Sequence, residues 1–252
     1  MIKRIVGVIP ARLGSTRLDQ KVIQKIHGRA MIQWVCRRAR QAKKLAEVVV
    51  ACDDQKIKEV LSGESVQVFM SEREHPNGTS RIAEIADRLD AEVIINIQGD
   101  EPMVHPENID LLAGAFEADD QTDVATLAVR MQDDERRLDP NIVKVVCDGK
   151  GEALYFSRAP IPHDRDAKSS GDWLKHIGMY GYRKDLLAQF VAWSQSELEK
   201  REKLEQLRLL ENGLNIKVLE TLHDSLGVDT PEDLEQVRQL LKLSMFAKEL
   251  KD

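Results

Sequence analysis

Three cations, Arg12, Arg17 and Lys21, follow closely on the apolar run Ile5-Val6-Gly7-Val8-Ile9-Pro10. Gly14 between them lets the backbone approach a phosphate, and Ser15 and Thr16 add hydroxyl donors. Such a set suits a polyanion such as a triphosphate, which charge-assisted hydrogen bonds hold best. The glycine count is too low for a Walker A loop or a G-x-G-x-x-G turn. The plainer alternative is a solvated basic loop. A second group is Gln98-Gly99-Asp100-Glu101-Pro102, after the apolar run Val93–Ile97. A carboxylate at the end of a buried strand is a hard oxygen ligand, well placed for Mg²⁺. A third is Val228-Asp229-Thr230-Pro231-Glu232-Asp233. It reads first as a helix start, with Thr230 as the cap, and leaves one carboxylate free to face a ligand. Two separate carboxylates and a substrate polyphosphate make the usual Mg²⁺ arrangement, because Mg²⁺ rarely has an all-protein cage.

Three further groups carry weaker signals. In His75-Pro76-Asn77-Gly78-Thr79-Ser80-Arg81, backbone amides at Asn77 and Gly78 could read a base edge. Arg81 could meet an anion at a helix start, although a plain loop with a Thr79 cap is the favoured reading of these residues alone. Tyr155-Phe156-Ser157-Arg158 and His176-Ile177-Gly178-Met179-Tyr180-Gly181-Tyr182 place Arg, His and Tyr beside strands. Strand alternation puts His176, Gly178, Tyr180 and Tyr182 on one face, suited to a polyhydroxylated ligand or simply packed inward. Glu205-Gln206 reads as part of a solvated helix face.

The elements that must position these groups follow from periodicity. Ile5–Ile9, Val48–Ala51, Val66–Met70 and Val93–Ile97 read as strands. Pro10, which cannot donate to a ladder, should end the first. Helices are predicted over Met31–Ala42, after Asp53-Asp54, from Thr79 to Leu89, and from Pro106 to Phe116. This strand–helix alternation means a mostly parallel sheet with helices on both faces. The second half changes character. Strands are predicted at Val124–Val129, Val143–Cys147, Leu154–Phe156, Ile177–Tyr182 and Ile216–Leu219, with a hairpin at Asp148-Gly149-Lys150-Gly151. Pro160–Gly171 reads as a polar loop. Helices are predicted at Leu186–Trp193, at Leu198–Leu210 and from Pro231 to the C-terminus. The chain reads as one catalytic α/β domain over 1–252 with a smaller β-rich insertion around 124–175.

Composition narrows the class. The 252 residues are 42% hydrophobic and 32% charged, which is globular rather than disordered. A net charge of -6 argues against nucleic acid as the main partner, so an anionic substrate needs a local cationic pocket or metal ions. Three cysteines without C-x-x-C spacing suit a reducing setting. No apolar run is long enough for a membrane span, and Met1-Ile2-Lys3-Arg4 leads directly into the first strand, so a cytoplasmic location is expected.

Taken in order, these segments resemble the CMP-Kdo synthetases, the 3-deoxy-manno-octulosonate (Kdo) cytidylyltransferases, from Ile9 to about Val237. The shared stretches are Ile9-Pro10-Ala11-Arg12, Ser15-Thr16-Arg17-Leu18, Lys21, Gly78-Thr79, Arg81, Gln98-Gly99-Asp100-Glu101-Pro102, Leu154-Tyr155-Phe156-Ser157-Arg158, His176, Gly178, Tyr180, Leu204-Glu205-Gln206-Leu207-Arg208 and Val228-Asp229-Thr230-Pro231-Glu232-Asp233. The opening motif is shared with other nucleotidyltransferases; the later ones are more specific.

The resemblance implies CMP transfer from CTP to the anomeric hydroxyl of Kdo, for lipopolysaccharide biosynthesis. It also implies a Rossmann-like nucleotide-diphosphosugar transferase fold, a β-rich dimerisation subdomain, a homodimer and two Mg²⁺ ions. By matching position, Asp100 and Asp229 are the implied Mg²⁺ ligands, and Arg12 and Lys21 the triphosphate contacts. Asn77, Gly78 and Gln98 fall to the cytidine, and Arg158, Arg165, His176, Tyr180, Glu205 and Gln206 to the sugar acid. Two departures stand out. Asp19-Gln20 replaces the family's usual Pro-Gly before the loop lysine, and Asn77 stands where many members carry Ser. A carboxylate near a triphosphate is unfavourable unless it points away or binds the Mg²⁺ that accompanies CTP; the first case requires the chain to turn between Asp19 and Lys21. Rival readings are cytidylyl transfer to 8-amino-Kdo or a sialic acid, a non-catalytic nucleotide-binding regulator, and an NAD-dependent oxidoreductase, against which the missing G-x-G-x-x-G counts.

Overall fold

The computed structural model describes residues 3–132, 134–165 and 171–243. Positions 166–170 of the polar loop and the tail of the last predicted helix lie outside them. In chain order the first half runs β1 (Ile5–Ala11), a 3-10 turn (Lys21–Ile23), β2 (Lys25–Ile26), β3 (Arg29–Ala30), α1 (Met31–Ala39), β4 (Glu47–Cys52), α2 (Gln55–Val60), β5 (Gln67–Met70), α3 (Gly78–Ala86), β6 (Val93–Asn96) and α4 (Pro106–Ala118). The second half adds β7 (Val124–Met131), α5 (Asp134–Leu138), β8 (Lys144–Cys147), β9 (Ala153–Ser157), β10 (Trp173–Arg183), α6 (Lys184–Ala192), α7 (Glu197–Glu202), α8 (Gln206–Glu211), β11 (Lys217–Thr221) and α9 (Pro231–Leu243).

One sheet carries the order β11-β7-β10-β6-β1-β4-β5, with the β8–β9 hairpin branching from β10. β6, β1, β4 and β5 are mutually parallel. β10 runs antiparallel between β6 and β7, and β11 returns parallel to β7. Of the 124–175 stretch, β7 and the start of β10 therefore belong to the main sheet, while β8 and β9 extend off it. The buried run of β1 divides its side chains between two cores. Ile5 and Ile9 join one with α1 and α4, while Val6 and Val8 join the other with α3 and α6. A third cluster packs Met31 and Trp34 of α1 against Leu234, Val237 and Leu241 of α9, with Val228 fully buried beside them. That contact brings the Asp229 segment back to the start of the chain.

Several boundaries differ from the periodicity. β1 continues one residue beyond Pro10. Val8 O accepts from Ile97 N, so Pro10 also faces the β6 side, where pairing has ended at Asn96 and no ladder donor is missed. α1 stops at Ala39 rather than Ala42, and β10 begins at Trp173 rather than Ile177. Thr79 is not the cap of α3. Asn77 is, its Oδ1 accepting from Ser80 N at 2.8 Å, while Thr79 lies inside the helix and buried. The single helix predicted over Leu198–Leu210 is two, broken where Lys203 turns left-handed at φ 56°. In a straight helix residues nine apart lie about 13 Å apart along the axis. The break instead folds Arg208 onto the buried Glu199, Nε to Oε2 at 2.8 Å.

Candidate active site

Four loops converge where β1 and β6 end. The loop after β1 supplies Arg12, Gly14, Ser15 and Lys21, and the turn before α3 supplies His75, Pro76, Asn77 and Gly78. The turn after β6 adds Gln98, Gly99 and Asp100, and together these line one cleft. Gly99 is there for space. A Cβ on it would stand 2.7 Å from Pro10 O, so any side chain would force the β6 turn away from the β1 loop. Asp229 arrives from the fourth segment, which is tied to the third by Val228 N donating to Asp100 O at 2.9 Å.

Charge is concentrated at this junction. Lys21 Nζ donates to Asp100 Oδ2 at 2.6 Å and to Asp229 Oδ1 at 2.9 Å. Arg17 Nη2 meets the same Asp229 oxygen at 2.9 Å. Burial alone would lower the Lys21 pKa, but Asp100 and then Asp229 outweigh it and hold the ammonium above its ordinary value. Thr230 and Asp233 cap α9 reciprocally, Asp233 Oδ2 accepting from Asp229 N and Thr230 N. The Asp229 carboxylate is thereby left free to face the cations, as a helix start with a spare carboxylate requires.

The left-handed turn falls on Gln20, at φ 48° and ψ 40°, the position of the usual glycine. Asp19 stays exposed while Lys21 enters the cleft. The chain does turn between them. Arg12, Gly14, Thr16 and Arg17 are exposed, and Ser15 is partly buried. Arg81 also lines the cleft, beneath the loop after β1. It is only 3% exposed and acts as a strut, Nη1 donating to Ala11 O at 3.0 Å and Nη2 to Asp53 Oδ2 at 2.8 Å. Asp53 Oδ1 also accepts from Leu13 N at 3.0 Å. Asp53 was legible only as half of an acidic turn. Asp54 alone caps α2, through Lys56 N, and the redundancy of two adjacent aspartates was the available signal.

The residues ascribed to the sugar acid are arranged differently. His176 is buried, its Nε2 within 3.0 Å of Thr126 Oγ1 and 2.9 Å of Tyr180 Oη, with Phe156 edge-on. Burial pushes its pKa down to about 3, so the ring is neutral. Tyr180 and Tyr182 pack inward with rings stacked, whereas Gly178 is exposed, because β10 bulges between Ile177 and Tyr180. Gln98 reaches across, Nε2 to Gly178 O at 2.7 Å. Arg158 donates from Nε to Glu202 O and from Nη1 to Pro140 O. Glu205 and Gln206 sit at the helix break, not on a solvated face. Glu205 accepts from Thr79 Oγ1 at 2.9 Å, and desolvation raises its pKa. Gln206 is 7% exposed, its buried Nε2 without a partner among the described residues. Arg165 is exposed on the 160–171 loop, and among the described residues no hydrogen bond or ion pair joins it to the others.

Sequence reasoning also passed over Glu101, 7% exposed with Oε2 unpartnered among the described residues. Desolvation and then the neighbouring Asp100 push its pKa up to about 8.

The pattern of the cytidylyltransferase family matches residues 6–218. The 3-deoxy-manno-octulosonate cytidylyltransferase of Solibacter usitatus is 44% identical over 246 residues, 98% of each chain. That of Syntrophotalea carbinolica is 46% identical, covering 94% of this chain and 98% of its own. The chain belongs to the 3-deoxy-manno-octulosonate cytidylyltransferase family. A solved structure of a CMP:2-keto-3-deoxy-manno-octonic acid synthetase complexed with CTP superposes with a TM-score of 0.90 at 40% identity, covering 98% of this chain and 99% of that one. A 4-diphosphocytidyl-2C-methyl-D-erythritol synthase from Anaerococcus prevotii shares the fold alone, with a TM-score of 0.65 at 16% identity, over 95% of this chain and 99% of that one. As a member of the cytidylyltransferase family this chain is a nucleotidyltransferase. No described helix is long and apolar enough to cross a membrane.

Proposed function

We propose that this chain transfers CMP from CTP to the anomeric hydroxyl of Kdo, releasing pyrophosphate. The observation that carries the reading is the meeting of Arg17, Lys21, Asp100 and Asp229, four charged side chains of a cytidylyltransferase, at the mouth of one cleft. The nucleophile is the substrate's own hydroxyl, so the chain needs no Ser or Cys nucleophile. Its work is positioning and charge stabilisation. Arg12 and Lys21 grip the triphosphate, with Gly14, Ser15, Thr16 and Arg17 around it. Amides at Asn77 and Gly78, with Gln98, read the cytosine edge. Arg81 acts here through the loop backbone that it braces. Arg158, Arg165, His176, Tyr180, Glu205 and Gln206 hold the sugar acid, and the neutral His176 orients the Tyr180 hydroxyl.

Asp100 and Asp229 suit Mg²⁺. Their carboxylate oxygens already converge on one cation, Lys21 Nζ, and both are hard donors. Bound there, Mg²⁺ would neutralise phosphate charge and lower the pKa of a coordinated hydroxyl. Lys21 would then be released from the carboxylates toward the triphosphate.

A homodimer in the cytoplasm, feeding lipopolysaccharide synthesis, completes the proposal. Free Cys36, Cys52 and Cys147 and the exposed Leu154 and Leu222 are compatible with it. The test is pyrophosphate release across the four nucleoside triphosphates and several 2-keto sugar acids with Mg²⁺. Turnover confined to CTP and Kdo is the expected result. Equal kcat/KM for CTP and UTP, or faster turnover with 8-amino-Kdo or a sialic acid, overturns the assignment.

A further inference from the structure

Behind the Asp100 turn a second group of ligand-bearing side chains comes together. His105 precedes α4, Glu107 lies in its first turn, and His223 sits in the loop between β11 and α9. One ligand atom from each lies within 4.8 Å of the others. The two imidazoles face each other with centroids 4.4 Å apart and planes 15° from parallel, and His105 Nδ1 is 3.9 Å from Glu107 Oε2. We propose that His105, His223 and Glu107 form a binding site for a transition-metal cation of the Zn²⁺ class, distinct from the oxygen-only pair Asp100 and Asp229.

The donor set is the first argument. Two imidazoles and one carboxylate select Zn²⁺ or Co²⁺ over Mg²⁺, and three protein ligands leave a position for water. The half-exposed setting gives an ion a way in. Tetrahedral ligation with metal–nitrogen bonds near 2.05 Å needs the nitrogens about 3.3 Å apart. Side-chain rotation can supply that closure. His105 occupies the cap position of α4 but makes no capping hydrogen bond, so its ring is not committed. Glu107 supplies the negative charge that a cation beside a helix N-terminus requires.

The second argument is that the backbones are already fixed. Asn108 Nδ2 donates to His223 O at 3.0 Å, Thr221 Oγ1 donates to Asn108 Oδ1 at 2.6 Å, and His223 N donates to Thr221 Oγ1 at 3.1 Å. The nearby Arg38 donates from Nε to Val104 O at 3.1 Å. An ion here would clamp the start of α4 to the β11–α9 loop. Asp100 lies on the connection that leads into α4 and Asp229 on the β11–α9 loop, so the clamp would stiffen the frame of the cleft without touching substrate.

Co²⁺ is the probe, because imidazole-rich four-coordinate sites give a strong visible absorption. Tag-free chain is titrated with Co²⁺ in a large excess of Mg²⁺, which fills oxygen-only sites. The expected result is a saturable one-to-one band, displaced by Zn²⁺, with affinity reduced at least tenfold in His105→Gln and in His223→Gln. Circular dichroism confirms that each variant is folded. Glu107→Gln alters a side chain 66% exposed, which the fold does not need, and should also weaken binding. The thermal midpoint should rise with Zn²⁺ in the wild type and not in the histidine variants. Absence of a saturable band, or a band of unchanged affinity in either histidine variant or in Glu107→Gln, overturns the proposal.

Discussion

The residues proposed to hold the triphosphate and those proposed to hold the sugar acid keep their polar groups in opposite ways. On the first, Arg17, Lys21, Asp100 and Asp229 come from three loops and neutralise one another at the mouth, partly in water. On the second, His176, Thr126 and Tyr180 are buried and joined in one network, and Arg158 is held by backbone carbonyls. Beneath Arg158, the fully buried Lys144 places its ammonium against three carbonyls, Asp139 O, Ile142 O and Arg158 O, at 3.0, 2.6 and 2.6 Å. Opposite charges at the mouth can exchange partners when a polyanion and a cation arrive, because Asp100, Asp229 and Arg17 stay partly open to water. Buried groups already joined to fixed partners cannot exchange without leaving a donor unpaired. The contrast suggests a triphosphate side that rearranges on loading and a sugar side that is preformed.

Breaking the exposed cluster should have the largest effect. Asp100→Asn and Asp229→Asn should each lower kcat by on the order of 100- to 1000-fold. The thermal midpoint should move little, since the pairs they remove are partly solvated. Pyrophosphate release and a melting curve check both halves, and a large loss of stability would contradict the contrast. On the preformed side the expected signature is pH. His176 titrates near 3 folded and near 6.5 unfolded. Unfolded chain therefore binds the proton first, and stability present above pH 6.5 is lost as pH falls through that range. The loss should be on the order of 3 kcal/mol between pH 7 and pH 4. His176→Gln should flatten that slope in urea titrations, and an unchanged slope would mean that the ring is not buried as described.

Lys144→Met should cost about 2 kcal/mol by stranding three carbonyls. It should also raise KM for the sugar acid more than KM for CTP, because Arg158 loses its support. An equal rise in both would erase the distinction between the two sides. The smallest effect belongs to the loop before Lys21. Relief of left-handed strain at Gln20, about 1–2 kcal/mol, exceeds the added chain entropy of glycine, so Gln20→Gly should gain about 0.5–1 kcal/mol in a denaturant titration.

Much of this was readable before folding because it is local. The apolar runs at Ile5–Ile9 and Val93–Ile97, the cation loop, and the strand-end Asp100 each declare themselves within a few residues. What periodicity misread was also local, but decided by distant partners. Pro10 stays in β1 because β6 has already ended beside it. The helix expected over 198–210 breaks because Arg208 must reach Glu199 inside the core, and the break turns Glu205-Gln206 inward.

By itself, then, the sequence determined the parallel sheet, the loops at its carboxyl end and the kinds of charge those loops carry, since residue type and spacing act over one turn or one strand. Only the tertiary structure decided which charges meet. Lys21 finds Asp100 79 residues away and Asp229 208 residues away. Arg81 becomes a strut rather than a free cation because Ala11 and Asp53 reach it first. Such pairings depend on α9 packing on Trp34 and on β6 lying beside β1, contacts between segments far apart in the chain that no short window of residues contains.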